Sequence, residues 1–265
     1  MKKKEKQGYW SAQGNAFTNS FKNIARKEFL KSALFDLITI VAVLLTINLA
    51  AIVTDRISIT AFPQLLEVLE IKQSGDQQAF ENAVVEYGPN IAKIVWISLA
   101  VLAVASLLLI YFVSLFYGNA WLSGLKKKFS GLFLRKYFIL NLVWALFWII
   151  IILLTMLILA PQAAAILIII EGALFIYLDP VLRAVFDENK SLGKNLLEFF
   201  RIGKKLHWFV LYIISFIIFL IILLTITGLL VNIEWLMIIA FIILILLFIG
   251  WMRNYIIALV NEIKN

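Results

Sequence analysis

Six apolar runs, at 32–54, 91–117, 137–159, 163–178, 208–230 and 235–253, limit what this chain can fold into more than any other feature. About 20 apolar residues carry a helix across the ~30 Å hydrocarbon core of a bilayer. Apolar residues make up 63% of the 265-residue chain and charged ones 15%. Soluble domains sit nearer roughly 45–50% and 25%. The sequence therefore predicts an all-α polytopic membrane protein with six transmembrane helices, and a water-soluble fold is excluded. There is no cysteine and one histidine, His207. Disulfides and Cys/His metal clusters have no residues to form from.

The net charge of +8 acquires its meaning from position. Bases mark the cytoplasmic loops of membrane proteins. Segment 55–89, between the first two runs, carries Arg56 and Lys72 against Asp55, Glu67, Glu70, Asp76, Glu81 and Glu86. That acidic excursion belongs outside. Between the fourth and fifth runs six bases oppose four acids, and the lysines of 2–6 and Lys126, Lys127 and Lys128 precede the first and third. With six spans, all these basic segments fall on one side. The expected placement is the cell membrane, multi-pass, with both termini cytoplasmic and no nucleic-acid partner. No cleavage pattern follows the first run, so it is expected to act as its own uncleaved signal.

Around the spans the sequence predicts a disordered basic tail over 1–16 and one six-helix domain over 17–265. Three basic amphipathic helices are expected to lie at the cytoplasmic interface. The first carries Phe17, Phe21, Ile24 and Ala25 on one face. The second carries Trp121, Leu122, Leu125, Phe129, Leu132 and Phe133, and the third Leu192, Leu196, Phe199 and Phe200. Segment 57–89 is expected to form an outer cap of two short surface helices, the first opened by Pro63. Spans one, three and five each carry Leu-Leu-Thr in their outer part at the same distance from a base: Arg26 with Thr46, Arg135 with Thr155, Lys205 with Thr225. Either a parallel duplication or bilayer thickness acting on a leucine-rich chain produces that spacing.

This layout, with Asp179-Pro180 at the inner end of span four and the stretch from Asp179 to Trp208 after it, resembles six-span integral membrane proteins of unknown function from bacteria and archaea. The resemblance implies the fold and no activity.

Few polar residues enter the spans. Glu171 lies about 14 Å from the outer start of span four, near the bilayer middle. A charge there costs about 3 kcal/mol, which the surrounding large apolar residues offset. It is read as a proton or cation site, or as a neutral carboxyl hydrogen-bonded to Ser215 or the Trp148 indole. Asp179 and Pro180 are read as a hinge lining an inner polar vestibule with Asp36, Arg183, Arg253 and Asn254, or as a locking ion pair of Asp179 with Arg253 or Arg183. Lys126, Lys127 and Lys128 are read as contacts for anionic lipid headgroups. No catalytic constellation, metal set or cofactor site is expected. The functional expectation is a non-enzymatic lipid-interacting or assembly factor or a small transporter, with a permease subunit of an ATP-driven exporter as the alternative. Lipid is the expected partner, with a further protein or a second copy beside it.

Overall fold

The computed structural model describes residues 9–24, 26–230 and 232–264. Among them there are helices and turns and no strands. The helices are α1 (Tyr9–Lys22), α2 (Lys27–Ser74), α3 (Gln77–Phe112), α4 (Gly118–Gly124), α5 (Gly131–Ile158), α6 (Pro161–Val185), α7 (Leu192–Gly203), α8 (Val210–Leu229) and α9 (Glu234–Lys264). A π-helical segment, Val113–Tyr117, joins α3 to α4, and a 3₁₀ turn, Leu206–Phe209, leads into α8. Six helical stretches are long and apolar enough to cross a membrane, as the sequence predicts. Local chemistry sets several boundaries. Asp76, Ser130 and Ser191 cap α3, α5 and α7 by accepting from the backbone N–H of Ala79, Phe133 and Lys194, and Pro161 occupies the first turn of α6.

The chain divides into two compact units, Thr39–Val113 and the remainder, where the sequence alone suggests one domain over 17–265. In the first unit the expected cap of separate surface helices is replaced by the prolongation of α2 and α3. Pro63 lies inside α2, and the turn comes at Gly75, whose φ of 78° favours glycine. Pro89 is likewise inside α3, which begins at Gln77 rather than near 91. An open groove of about 700 Å³, lined by residues such as Leu45, Leu49, Val101 and Leu108, runs along the two helices.

The second unit is organised on α9, against which α1, α4, α6 and α8 all pack. Its core lies toward one end. Tyr137, Val181, Phe199, Phe209, Tyr212, Tyr255, Ile256 and Leu259 are almost wholly enclosed, while Leu154, Ile169, Ile221 and Ile239 are exposed. Exposed aliphatic side chains on a spanning helix suit a lipid surround. The C-terminal stretch after 253, beyond the last apolar run of the sequence, continues α9 and supplies much of this core. At Gly250 an added Cβ would stand 2.6 Å from the Phe29 ring, so α2 and α9 meet closely there.

The three segments expected to form interfacial helices differ in the structure. Residues 9–16, expected in the disordered tail, form the first turns of α1, and residues 1–8 lie outside the described residues. The face that α1 buries is Ala12, Gln13, Ala16 and Ser20, with Phe17 and Phe21 partly exposed beside Trp251. Tyr9 donates to the His207 carbonyl at 2.6 Å, Gln13 Nε2 donates to the Trp208 carbonyl at 2.5 Å, and the Tyr255 hydroxyl donates to Gln13 Oε1. The second expected helix is broken: α4 ends at Gly124, and Phe129 and Leu132 are exposed. Here Lys127 N bonds the Leu122 carbonyl and Lys126 N the Ser123 carbonyl, a Schellman ending with Lys126 in the left-handed position at φ 56°. Over the third segment the chain is helical as α7, which buries Phe199 and packs Leu192 and Leu196 against the protein core, with Phe200 exposed.

A left-handed non-glycine residue costs about 1–2 kcal/mol, partly offset by glycine's greater freedom when unfolded. Lys126→Gly is therefore expected to stabilise the protein by about 0.5–1 kcal/mol, read as a raised melting temperature in detergent. A lowered one contradicts this turn.

Candidate functional site

Four buried charged residues of the second unit, Asp36, Asp179, Arg183 and Arg253, gather around Tyr117. The wider turn of the π-helical segment, a distortion frequent at functional sites, carries this ring to the head of α4. Arg183 lies 4.7 Å and Arg253 5.9 Å from its centroid. Both arginines are buried in an apolar surround, where an uncompensated charge is costly.

Arg183 is compensated on every side. Its Nε donates to Asp179 Oδ2 at 2.7 Å and its Nη2 to Asp179 Oδ1 at 2.8 Å, the two-point geometry that makes arginine–carboxylate pairs strong. Nη1 donates to the Tyr137 hydroxyl at 2.5 Å and to Asn141 Oδ1 at 3.0 Å, and Asn141 Nδ2 donates to Ser114 Oγ at 2.8 Å. Asp179 and Arg183 are four residues apart on α6, so a single helix face brings them together. Arg253 is served differently. Its Nη2 donates to Asp36 Oδ2, while its Nε and Nη1 and the other Asp36 oxygen have no hydrogen-bond partner among the described residues.

The structure thus resolves the alternatives for Asp179. Its ion pair is with Arg183, and Arg253 pairs with Asp36. At Pro180, where the sequence suggests a hinge or a helix end, α6 remains helical and continues to Val185. Proline cannot donate to the carbonyl four residues back. That carbonyl, of Ile176, instead accepts from the Tyr212 hydroxyl of α8 at 3.0 Å. Asn254, expected in the same cluster, is half-buried and takes part in none of these contacts.

Beside the cluster lies a cavity of about 330 Å³, walled by α6, α8 and α9 and by Tyr117 and Trp121. Of its sixteen lining residues only Asp179 and Arg253 are charged. Phe216, Phe219 and Phe248 form part of the wall, with the last two rings stacked at 3.7 Å.

Glu171 lies elsewhere. It is buried and accepts from Thr155 Oγ1 at 2.6 Å, in place of the expected Ser215 or Trp148, and its Oε2 has no hydrogen-bond partner among the described residues. The three threonines of the Leu-Leu-Thr repeats have different partners: Thr46 donates to the Ala42 carbonyl, Thr155 to Glu171 and Thr225 to the Ile221 carbonyl. Lys126, Lys127 and Lys128 are exposed, with Lys127 4.0 Å from Asp187. Outside the spans, burial opposes ionisation of Glu198, but hydrogen bonds from Lys190 at 2.5 Å and Lys264 at 2.8 Å prevail and hold its carboxyl below the usual range.

Sequence reading missed Tyr117, Tyr137, Asn141 and Tyr212. A signal existed for two of them, since Phe133, Tyr137, Asn141, Trp144 and Trp148 recur at helical spacing and form one buried face of α5. No protein-family model matches the chain, and no curated protein or solved structure matches it.

If Tyr212 stands in for the hydrogen bond that Pro180 removes, Tyr212→Phe leaves a buried carbonyl unpaired and lowers stability by about 1–3 kcal/mol. Adding Pro180→Ala returns a backbone donor and is expected to recover a large part of that loss in chemical-denaturation or thermal-melting measurements. A Tyr212→Phe loss of the same size with and without Pro180→Ala contradicts the substitution of one donor for the other.

Proposed function

We propose that this is a multi-pass protein of the cell membrane that binds membrane lipid and acts without catalysing a reaction, with its termini and basic loops on the cytoplasmic side. The observation that carries this reading is the cavity walled by α6, α8 and α9, apolar along its length and charged at one end. That polarity matches an amphiphile better than a water-soluble substrate, for which apolar walls offer too few hydrogen bonds. The exposed bases support it. Lys126, Lys127 and Lys128 follow α4 directly, and Lys194 and Arg201 flank the exposed Leu197 and Phe200 on α7. Such bases attract anionic headgroups at about 1 kcal/mol each. A helix with one apolar and one basic side rests naturally at a bilayer surface.

A ligand present at about 100 times its dissociation constant stabilises the folded state by about 2.7 kcal/mol. Exhaustive delipidation in detergent is therefore expected to lower the melting temperature by several degrees, and added membrane lipid to restore it. A melting temperature indifferent to both steps contradicts a lipid-binding role.

A further inference from the structure

We infer that the cavity holds one acyl chain of a membrane phospholipid, with the lipid phosphate accepting a hydrogen bond from Arg253. The inference rests on the lipid-binding function proposed above and gives it a site and a headgroup chemistry.

The first argument is shape. Tyr212 and Arg253 stand at one end of the cavity and Leu223 and Ile245 at the other, because α8 and α9 are consecutive and antiparallel. From Tyr212 to Leu223 the helix rises about 16 Å, which makes the space an elongated apolar slot with a charged end. Water filling such a slot would lack partners along most of its walls.

The second argument is unmet hydrogen bonding. Arg253 is 2% exposed, lines the cavity, and keeps two of its three guanidinium nitrogens without an acceptor among the described residues. Arg183, in the same cluster, leaves none of its nitrogens unpaired. A buried guanidinium so incompletely paired is unfavourable unless an acceptor arrives, and a phosphate oxygen is an acceptor to which arginine bonds strongly.

Depth supplies the third argument and selects the source. Arg253 lies about 28 Å along α9 from Glu234, close to the thickness of the hydrocarbon core. A guanidinium at that level meets the phosphate layer of one leaflet.

Native mass spectrometry of the delipidated full-length protein in mixed micelles tests this with phosphatidylglycerol, phosphatidylethanolamine, dioleoylglycerol and oleate. The expected result is one retained phospholipid of either headgroup, bound at least about tenfold more tightly than dioleoylglycerol or oleate. Ile249→Trp, which fills the slot and leaves Arg253 in place, is expected to weaken retention about tenfold. The pair Asp36→Asn with Arg253→Gln removes both charges together and is expected to abolish the preference for phosphate. Equal retention of dioleoylglycerol or oleate by the natural sequence overturns the assignment to phosphate. Undiminished retention by a folded Ile249→Trp overturns the site while leaving lipid binding intact, whereas no retention of any lipid by the natural sequence overturns the function itself.

Discussion

Two arginines and two aspartates buried around one tyrosine ring set the terms for the larger unit of this protein. In a low-dielectric surround a lone guanidinium is prohibitive, and even a pair recovers its desolvation only when the geometry is good and the remaining donors are filled. Arg183 meets that standard with Asp179, Tyr137 and Asn141, and so ties α5 to α6. Arg253 meets it only in part, through Asp36 near the start of α2. The four charges sum to zero, which lets them sit together in an enclosed core where any one alone would be costly. Their inequality is informative: one arginine is finished as structure, and the other, in the wall of the cavity, keeps two nitrogens without a hydrogen-bond partner among the described residues.

The rest of the unit distributes its packing to suit. Aromatic and polar side chains concentrate at the end of α9 that also carries Arg253, Tyr255 and Leu259, where α1 is seated by Tyr9, Gln13 and Tyr255. Away from that end the helices present leucine and isoleucine outward. In hydrocarbon such residues gain little by meeting one another, so there is no drive to bury them. A rigid, well-bonded end and lipid-facing shafts leave a cleft open along its flank, and a cleft between spanning helices is where a bilayer amphiphile has access. Function as proposed here follows from where packing is spent and where it is withheld.

Much of this architecture is legible without coordinates, because the cost of an unsatisfied backbone in hydrocarbon makes long apolar runs nearly unambiguous as helices. Asp36, Asp179, Arg183 and Arg253 stand out for the same reason, as charges where charges are expensive. What stays hidden depends on tertiary partners. Pro180 reads as a break because its own sequence cannot reveal that a tyrosine from α8 caps the freed carbonyl. Pro63 reads as a helix start and Pro89 as the end of the outer excursion, yet both lie within longer helices. The apolar residues around Lys126 have helical spacing, but the Schellman turn ends α4 there. Glu171 is legible as a buried intramembrane carboxyl, while its partner Thr155 shows in the sequence only as one member of a repeat.

The most direct test of the central claim is a double-mutant cycle on Asp36 and Arg253, two positions far apart in the chain that the charge cluster brings into contact. Unfolding free energies would be measured for Asp36→Asn, Arg253→Gln and the double variant in one detergent. The double variant is expected to cost less than the sum of the two singles, by a coupling of about 1–3 kcal/mol. Strict additivity, with no coupling beyond about 0.5 kcal/mol, would contradict the buried pair and the cluster built on it.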